Sequence, residues 1–359
     1  MFDAIIIGGS FAGLATAMQL RGYRVLLVDQ YPIGSHQTST CGLPLAIARA
    51  VGAEASIYEA HDTVVLHAGG DQIRIAIPEP YVTINYEAFC QAMLRRTDVS
   101  VSLAKATGYQ EGVVTTTSGP VAGRFVVDAA GWRSLRGLSV SPATAAPVMG
   151  RGIETELPVR LSASPGMHFF FERRLVRNGY AWIFPCGDRT RIGLGSVAEH
   201  PGLRARLAAF VAELGLAMGP THGGVMPLTR RAPLAGDVFI VGDAAGQCLP
   251  VTAEGIRAAI VHGAACGQLI AASLRGAITA DEARARYLQH TRGTDRFHRR
   301  MGAMQAVVDR APERLLALGA RACSPPRIAQ SILRAYLTHS GWPSAWGFLE
   351  GPRAGLPAG

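Results

Sequence analysis

The feature that most constrains the fold lies at the N-terminus, where Gly8-Gly9-Ser10-Phe11-Ala12-Gly13 stands between an apolar strand and an apolar helix. Residues 3–8 read Asp-Ala-Ile-Ile-Ile-Gly, a run that predicts a strand buried on both faces. Ala12, Leu14, Ala15, Ala17, Met18 and Leu20 recur at helical spacing over 11–21. Residues 24–29, Arg-Val-Leu-Leu-Val-Asp, predict a second strand. Strand, glycine turn, helix and strand form a βαβ unit, and its turn follows the G-x-G-x-x-G pattern of dinucleotide sites. There Gly8 permits the tight turn and Gly13 lets helix and strand approach. The backbone N–H groups between them face a pyrophosphate. Ser10 replaces the middle glycine and is small enough to let the phosphate approach. Asp29, 21 residues after Gly8, supplies an acid for a ribose 2′-hydroxyl and disfavours a 2′-phosphate. Cofactor contacts expected here are Gly8, Gly9, Ser10, Phe11, Ala12, Gly13, Asp29 and Gln30. The fingerprint alone does not separate NAD from FAD.

The chain has 359 residues, 48% hydrophobic and 17% charged, which excludes disorder and leaves room for two or three packed lobes. Positive mean hydropathy suggests a large apolar interior with an apolar pocket. No uninterrupted apolar run reaches about 18 residues, so no membrane-spanning helix is expected. The first residues lack the basic start and cleavage site of a secretory signal, so a cytoplasmic location is the default. The net charge is +9, with arginines at 284, 286 and through 292–300. No aromatic-interleaved patch accompanies them, so no nucleic-acid partner is expected. Two readings stay open: a solvated helical face, and a surface that approaches anionic lipid, which would put the protein at the membrane periphery. The six cysteines, 41, 90, 186, 248, 266 and 323, have no zinc-like spacing, and no metal site is expected.

A polar loop over 34–44 follows the βαβ unit, and Phe89, Ala92, Met93 and Leu94 predict a helix over 85–96. Short strand-like runs occupy 99–103, 112–116 and 124–128. Between 166 and 197 the pattern changes to an antiparallel meander, and 237–242 returns to a buried strand. A long Ala-rich helix is expected at about 253–273, then a basic helical region to about 336 and a frayed tail at 351–359. The fold class is therefore α/β, a Rossmann-type domain with a parallel sheet plus an antiparallel substrate sheet and a helical C-terminal region. The expected division is 1–55, 84–140 and 230–275 for the dinucleotide domain. Residues 56–83 and 141–229 make the substrate domain, and 276–359 the helical region.

The segment 236–259, GDVFIVGDAAGQCLPVTAEGIRAA, resembles the FAD-dependent oxidoreductases of the para-hydroxybenzoate-hydroxylase structural group. In that group a late strand ends in Gly-Asp, followed by Ala-Ala, a Pro and a Gly before a long helix. The resemblance implies FAD, with contacts from Gly242, Asp243, Pro250, Gly255 and Ile256. Asp243 corresponds to the carboxylate that bonds the ribityl chain. The N-terminus of the helix after Gly255 would stabilise an anionic reduced flavin. Within the group the chain is similar to the geranylgeranyl reductase family. The carriers are Val-Asp-Ala-Ala-Gly at 127–131 with Ser134 and Arg136, Gly-Tyr-Ala-Trp-Ile-Phe-Pro at 179–185, and Cys41-Gly42. Two positions depart from relatives: Ala130 stands where aromatic hydroxylases carry Asp, and Tyr86 where many carry Arg.

The resemblance implies an enzyme that reduces a carbon–carbon double bond of an isoprenoid or other small apolar substrate. Such a reaction needs a hydride, a proton donor and a dry, shaped pocket. Tyr180, Trp182 and Phe184 alternate on a strand and share one face, either as a pocket wall or as core packing. Cys41 is the catalytic candidate, as proton donor or electron-exchange group beside the flavin, against plain buried packing. His36 shares its loop, and Cys186 and Cys248 follow the flavin-adjacent motifs, so a dithiol relay is conceivable. The electron donor is NAD(P)H or a ferredoxin-like protein. Two other functions stay open. One is a flavin monooxygenase or halogenase acting on an aromatic or polyketide-like substrate. The other is a flavoprotein electron carrier to quinone.

Overall fold

The computed structural model describes residues 1–133, 148–161, 165–197 and 202–339. Ser134, Arg136 and the tail at 351–359 lie outside the described residues. Two sheets carry the fold. The first runs Leu234–Ala235, Val238–Ile240, Gly119–Asp128, Phe2–Ile7, Val25–Asp29 and Ser100–Leu103, in that order. Its inner pairs are parallel, with Ile6 beside Leu27 on one edge and Val127 on the other. Fully buried Ala4, Ile5 and Ile6 explain the all-apolar run of the first strand, since both faces are covered.

The helix Phe11–Met18 packs against the long helix Ile256–Leu274 through glycines. A Cβ on Gly263 would sit 2.4 Å from the Ala12 carbonyl oxygen, and one on Gly267 2.4 Å from that of Thr16. Thr16 also donates to the Gly263 carbonyl at 3.0 Å. These pairings advance together along both helices, so the two run in the same direction. Both N-termini therefore open on the same side of the sheet, at the carboxyl ends of its strands, where open α/β sheets bind ligands. Ile256–Leu274 is long and apolar enough to cross a membrane, but 72% of its most apolar stretch is buried inside the fold.

The second sheet has the order Thr221–Pro227, Met149–Leu157, Arg189–Ser196, Gly179–Cys186, Met167–Phe170, Ile57–Ala68, Asp71–Ile84 and Gly42–Pro44. It is antiparallel except where Met167–Phe170 pairs in parallel with Ile57–Ala68. The meander read from 166–197 is thus only the middle of a wider sheet, completed by segments far away in the chain. Three helices follow. Ala280–Arg310 starts with a capping box of Thr279 and Glu282 and packs on Ile256–Leu274. Glu313–Cys323 and Pro326–His339 lie against the hairpin Ile57–Ile84. The helical region therefore bridges both sheets.

Candidate active site

A cavity of about 1230 Å³ lies between the two sheets. That exceeds the roughly 300–1,000 Å³ typical of a single small-molecule site. Gly8, Gly9, Ser10, Phe11, Ala12, Asp29 and Gln30 line one end, and Gly242, Asp243, Gly255 and Ile256 line the middle. Tyr180, Trp182 and Phe184 form the opposite floor, with Phe169 and Met167 beside them. Cys41, His36 and Cys248 also reach it, whereas Gly13, Pro250 and Cys186 are not among its lining residues.

Gly8 adopts φ +101° and a Cβ there would meet the Ala129 carbonyl oxygen at 2.3 Å. Gly13 does not touch the cavity because its work is internal: a Cβ would sit 1.9 Å from the Gly8 carbonyl oxygen. Asp29 accepts from the Gly9 N–H at 2.7 Å and from the Tyr31 N–H at 2.8 Å, so it also holds the loop. Ser10 stands at the helix start without capping it. Its hydroxyl instead meets the Tyr86 hydroxyl at 3.0 Å. Ser10, in place of the middle glycine, and Tyr86, where many relatives carry Arg, therefore form one local arrangement on the cavity wall.

Neither Phe11–Met18 nor Ile256–Leu274 has a side-chain N-cap, whereas Asn85 caps Tyr86–Leu94. Uncapped N–H groups at two cavity-facing helix starts suit the phosphates and the pyrimidine edge of a flavin dinucleotide. Asp243 adds a carboxylate with no hydrogen-bond partner among the described residues. Burial pushes its pKa up to about 6, against a lowering by Arg231. Such a group suits a ligand hydroxyl, so the residues present fit FAD.

Cys41 is fully buried and holds φ +60°, in the left-handed region. Its thiol donates to the Ser39 carbonyl at 3.2 Å. Burial pushes the thiol pKa up to about 12; Arg191 pulls it down and Glu154 pushes it further up. Cys41 is thus a neutral thiol, not the lowered-pKa thiolate that thiol chemistry needs. Burial likewise raises Cys186, to about 11, and Cys248. His36 is exposed and stacks on Tyr31 at 4.3 Å.

The structure adds residues that the sequence did not single out. The loop before Ile256 carries Val251 at φ +67° and Ala253 at φ +50°. A β-branched residue in that region needs outside support. Tyr180 donates to the Thr252 carbonyl at 2.9 Å and Gln305 accepts from the Val251 N–H at 2.7 Å. His298 donates to the Cys248 carbonyl at 3.1 Å, and the Tyr336 hydroxyl bonds both Thr252 and Glu254. Glu254 in turn pairs with buried Arg257 at 2.6 Å. The basic C-terminal region is therefore more than a solvated face: it clamps the loop and lines part of the cavity. Arg191, 1% exposed, donates to the Thr40 carbonyl at 2.9 Å and pairs with Glu156 at 2.8 Å. Glu154 and His222 share the cavity floor. Nothing in the strand Met149–Leu157, which also carries Arg151 and Glu156, set Glu154 apart, and nothing local joined it to His222.

The fold is similar to that of flavin-dependent enzymes of known structure. The chain is similar to a geranylgeranyl bacteriochlorophyll reductase-like protein from Thermoplasma acidophilum, with TM-score 0.80 and 19% identity over 97% of this chain and 98% of the other. It is also similar to a flavin-dependent brominase, with TM-score 0.74 and 16% identity over 97% of each chain. A p-nitrophenol 4-monooxygenase from Pseudomonas putida gives TM-score 0.75 and 14% identity over 95% of this chain and 98% of the other. No protein-family model matches the chain. The chain is also similar in sequence, over about 30% of its length, to digeranylgeranylglycerophospholipid reductases. It is 32% identical over 115 residues to digeranylgeranylglycerophospholipid reductase 2 of Methanothermobacter thermautotrophicus, and 31% over 120 residues to the reductase of that name from Methanocaldococcus jannaschii. Each match spans 30% of this chain and 30% of the relative.

Proposed function

We propose that this chain binds FAD and reduces a carbon–carbon double bond in an isoprenoid or similarly apolar substrate. The observation that carries the reading is the continuity of one cavity from the glycine turn to an aromatic floor. The flavin, when bound, supplies the hydride. Backbone N–H groups of Phe11–Ala12 and of Ile256 hold its anionic parts, and Asp243 accepts from its hydroxyls. Phe184, Trp182 and Tyr180 hold the alkene and exclude water. Cys41 contributes a neutral thiol beside the reacting groups. The electron donor in this reading is NAD(P)H or a ferredoxin-like protein.

The apolar substrate also favours a peripheral membrane contact. Exposed Met304, Val307, Leu315, Leu318, Ile328 and Ile332 sit among the C-terminal arginines, and Met304 and Ile332 also line the cavity. A second reading, oxygen-dependent hydroxylation or halogenation, is favoured by the fold likeness to the brominase and the monooxygenase. The deciding experiment reduces the FAD-loaded protein without oxygen and adds a geranylgeranyl compound. Reoxidation with saturation of the prenyl chain is expected. No reoxidation, with substrate-dependent oxygen consumption in air, would replace this reading by the second.

A further inference from the structure

One cross-strand row on the cavity floor reads Phe169, Trp182, Gly193, Glu154, His222. The glycine in its middle is what joins the row. A Cβ on Gly193 would lie 2.3 Å from the Trp182 ring and 2.7 Å from the Glu154 Cβ. Only glycine therefore lets the indole cross this strand. Its Nε1 then donates to Glu154 Oε2 at 3.0 Å. Glu154 Oε1 meets His222 Nε2 at 2.7 Å, and Arg191 Nε stands 3.9 Å from the same oxygen.

A carboxylate 2% exposed must be paired, and here both oxygens are engaged. The pairing decides the chemistry of His222. With Nε2 donating to a carboxylate, the ring is held in one orientation, and Nδ1 is left to exchange a proton. His222 lines the cavity and its side chain is 26% exposed, so part of the ring is accessible to a ligand there.

We propose that His222, oriented by Glu154, supplies the proton that completes reduction of the substrate double bond. This rests on the reductase reading. A hydride with its electron pair forms one new C–H bond, and two electrons leave the reduced flavin. The alkene π pair forms the other C–H bond with the proton from His222 Nδ1. The neutral imidazole recovers a proton from water after the product leaves. Cys41 is poorly suited to this step at neutral pH, because its pKa is pushed up to about 12. Glu154 is a positioning residue.

The test uses FAD-loaded protein, reduced without oxygen, with geranylgeranyl diphosphate as the probe. His222→Gln is expected to lower kcat by about 100-fold, within the range of a lost general acid, with KM changed less than about twofold. Glu154→Gln should lower kcat in the same way, and Glu154→Asp should recover part of it. A structural role for Glu154 would instead move KM, FAD content and melting point together. Independently of turnover, diethyl pyrocarbonate modification of His222, mapped by mass spectrometry, should slow when the probe is bound. If wild type fails to turn over, the reductase reading falls and takes the proposal with it. If wild type turns over, either His222→Gln within about threefold of it or unslowed modification of His222 overturns this proposal alone.

Discussion

Replacing Arg191 with Met removes a buried cation that three groups share. It donates to Glu156 at 2.8 Å and to the Thr40 carbonyl at 2.9 Å, and it stands 3.9 Å from Glu154. Its side chain is 1% exposed and that of Glu154 3%. Removing one partner of a buried ion pair costs about 3–5 kcal/mol, because the other charge stays buried. Unfolding entropy of about 2.1 cal/mol/K per residue, over 359 residues, turns this into a melting-point drop of about 4–7 °C. The lost bond to Thr40 also frees the residue next to Cys41, whose φ of +60° costs an L-residue about 1–2 kcal/mol. The Cys41 turn should therefore relax, and its thiol, fully buried in wild type, should become open to alkylation. Differential scanning calorimetry and timed iodoacetamide labelling, read by mass spectrometry at Cys41, check the two effects. A melting point within about 1 °C of wild type, with Cys41 labelled no faster than in wild type, would refute the reasoning.

Tyr86→Phe removes the hydroxyl that Ser10 meets at 3.0 Å. Stability should fall by about 1 kcal/mol and FAD, titrated by flavin fluorescence quenching, should bind about fivefold more weakly. Gly13→Ala forces a Cβ to within 1.9 Å of a backbone oxygen, so a loss of about 3 kcal/mol or more is expected. The purified protein should contain little or no flavin, which its absorbance spectrum reports. Asp243 has its folded pKa raised from 3.8 to about 6 by burial. Keeping it ionised therefore costs nothing below pH about 4, increasingly more as pH rises, and about 3 kcal/mol in full above pH 6. Flavin-free Asp243→Asn should match wild type in urea unfolding at pH 4 and exceed its stability at pH 8, while binding FAD more weakly.

The glycine turn, its flanking strands and Asp29 were legible because each is a local matter. An apolar run of strand length, a turn needing φ above zero and a helical repeat lie within 29 residues. The alternation of Tyr180, Trp182 and Phe184 likewise predicted one shared face, since strand side chains alternate. Other parts of the site were not legible. Glu154 and His222 stand 68 residues apart, and only the register between Met149–Leu157 and Thr221–Pro227 makes them neighbours. The C-terminal arginines read as a solvated or lipid-facing surface. Nothing in their spacing announced that Gln305 and Tyr336 would clamp the loop at 251–254.

By itself the sequence determined a βαβ unit with a dinucleotide turn, and a second glycine-acid motif that points to a flavin. Both depend on backbone geometry and on residues close in the chain, so their physics is written locally. Only the tertiary structure decided what surrounds that cofactor site. The parallel packing of Phe11–Met18 on Ile256–Leu274 brings two helix N-termini to one side. The sheet register sets a buried carboxylate beside an imidazole, and burial pushes the Cys41 thiol pKa up, which keeps it protonated. Each of these depends on which distant segments share a low-dielectric interior, and no local pattern encodes that.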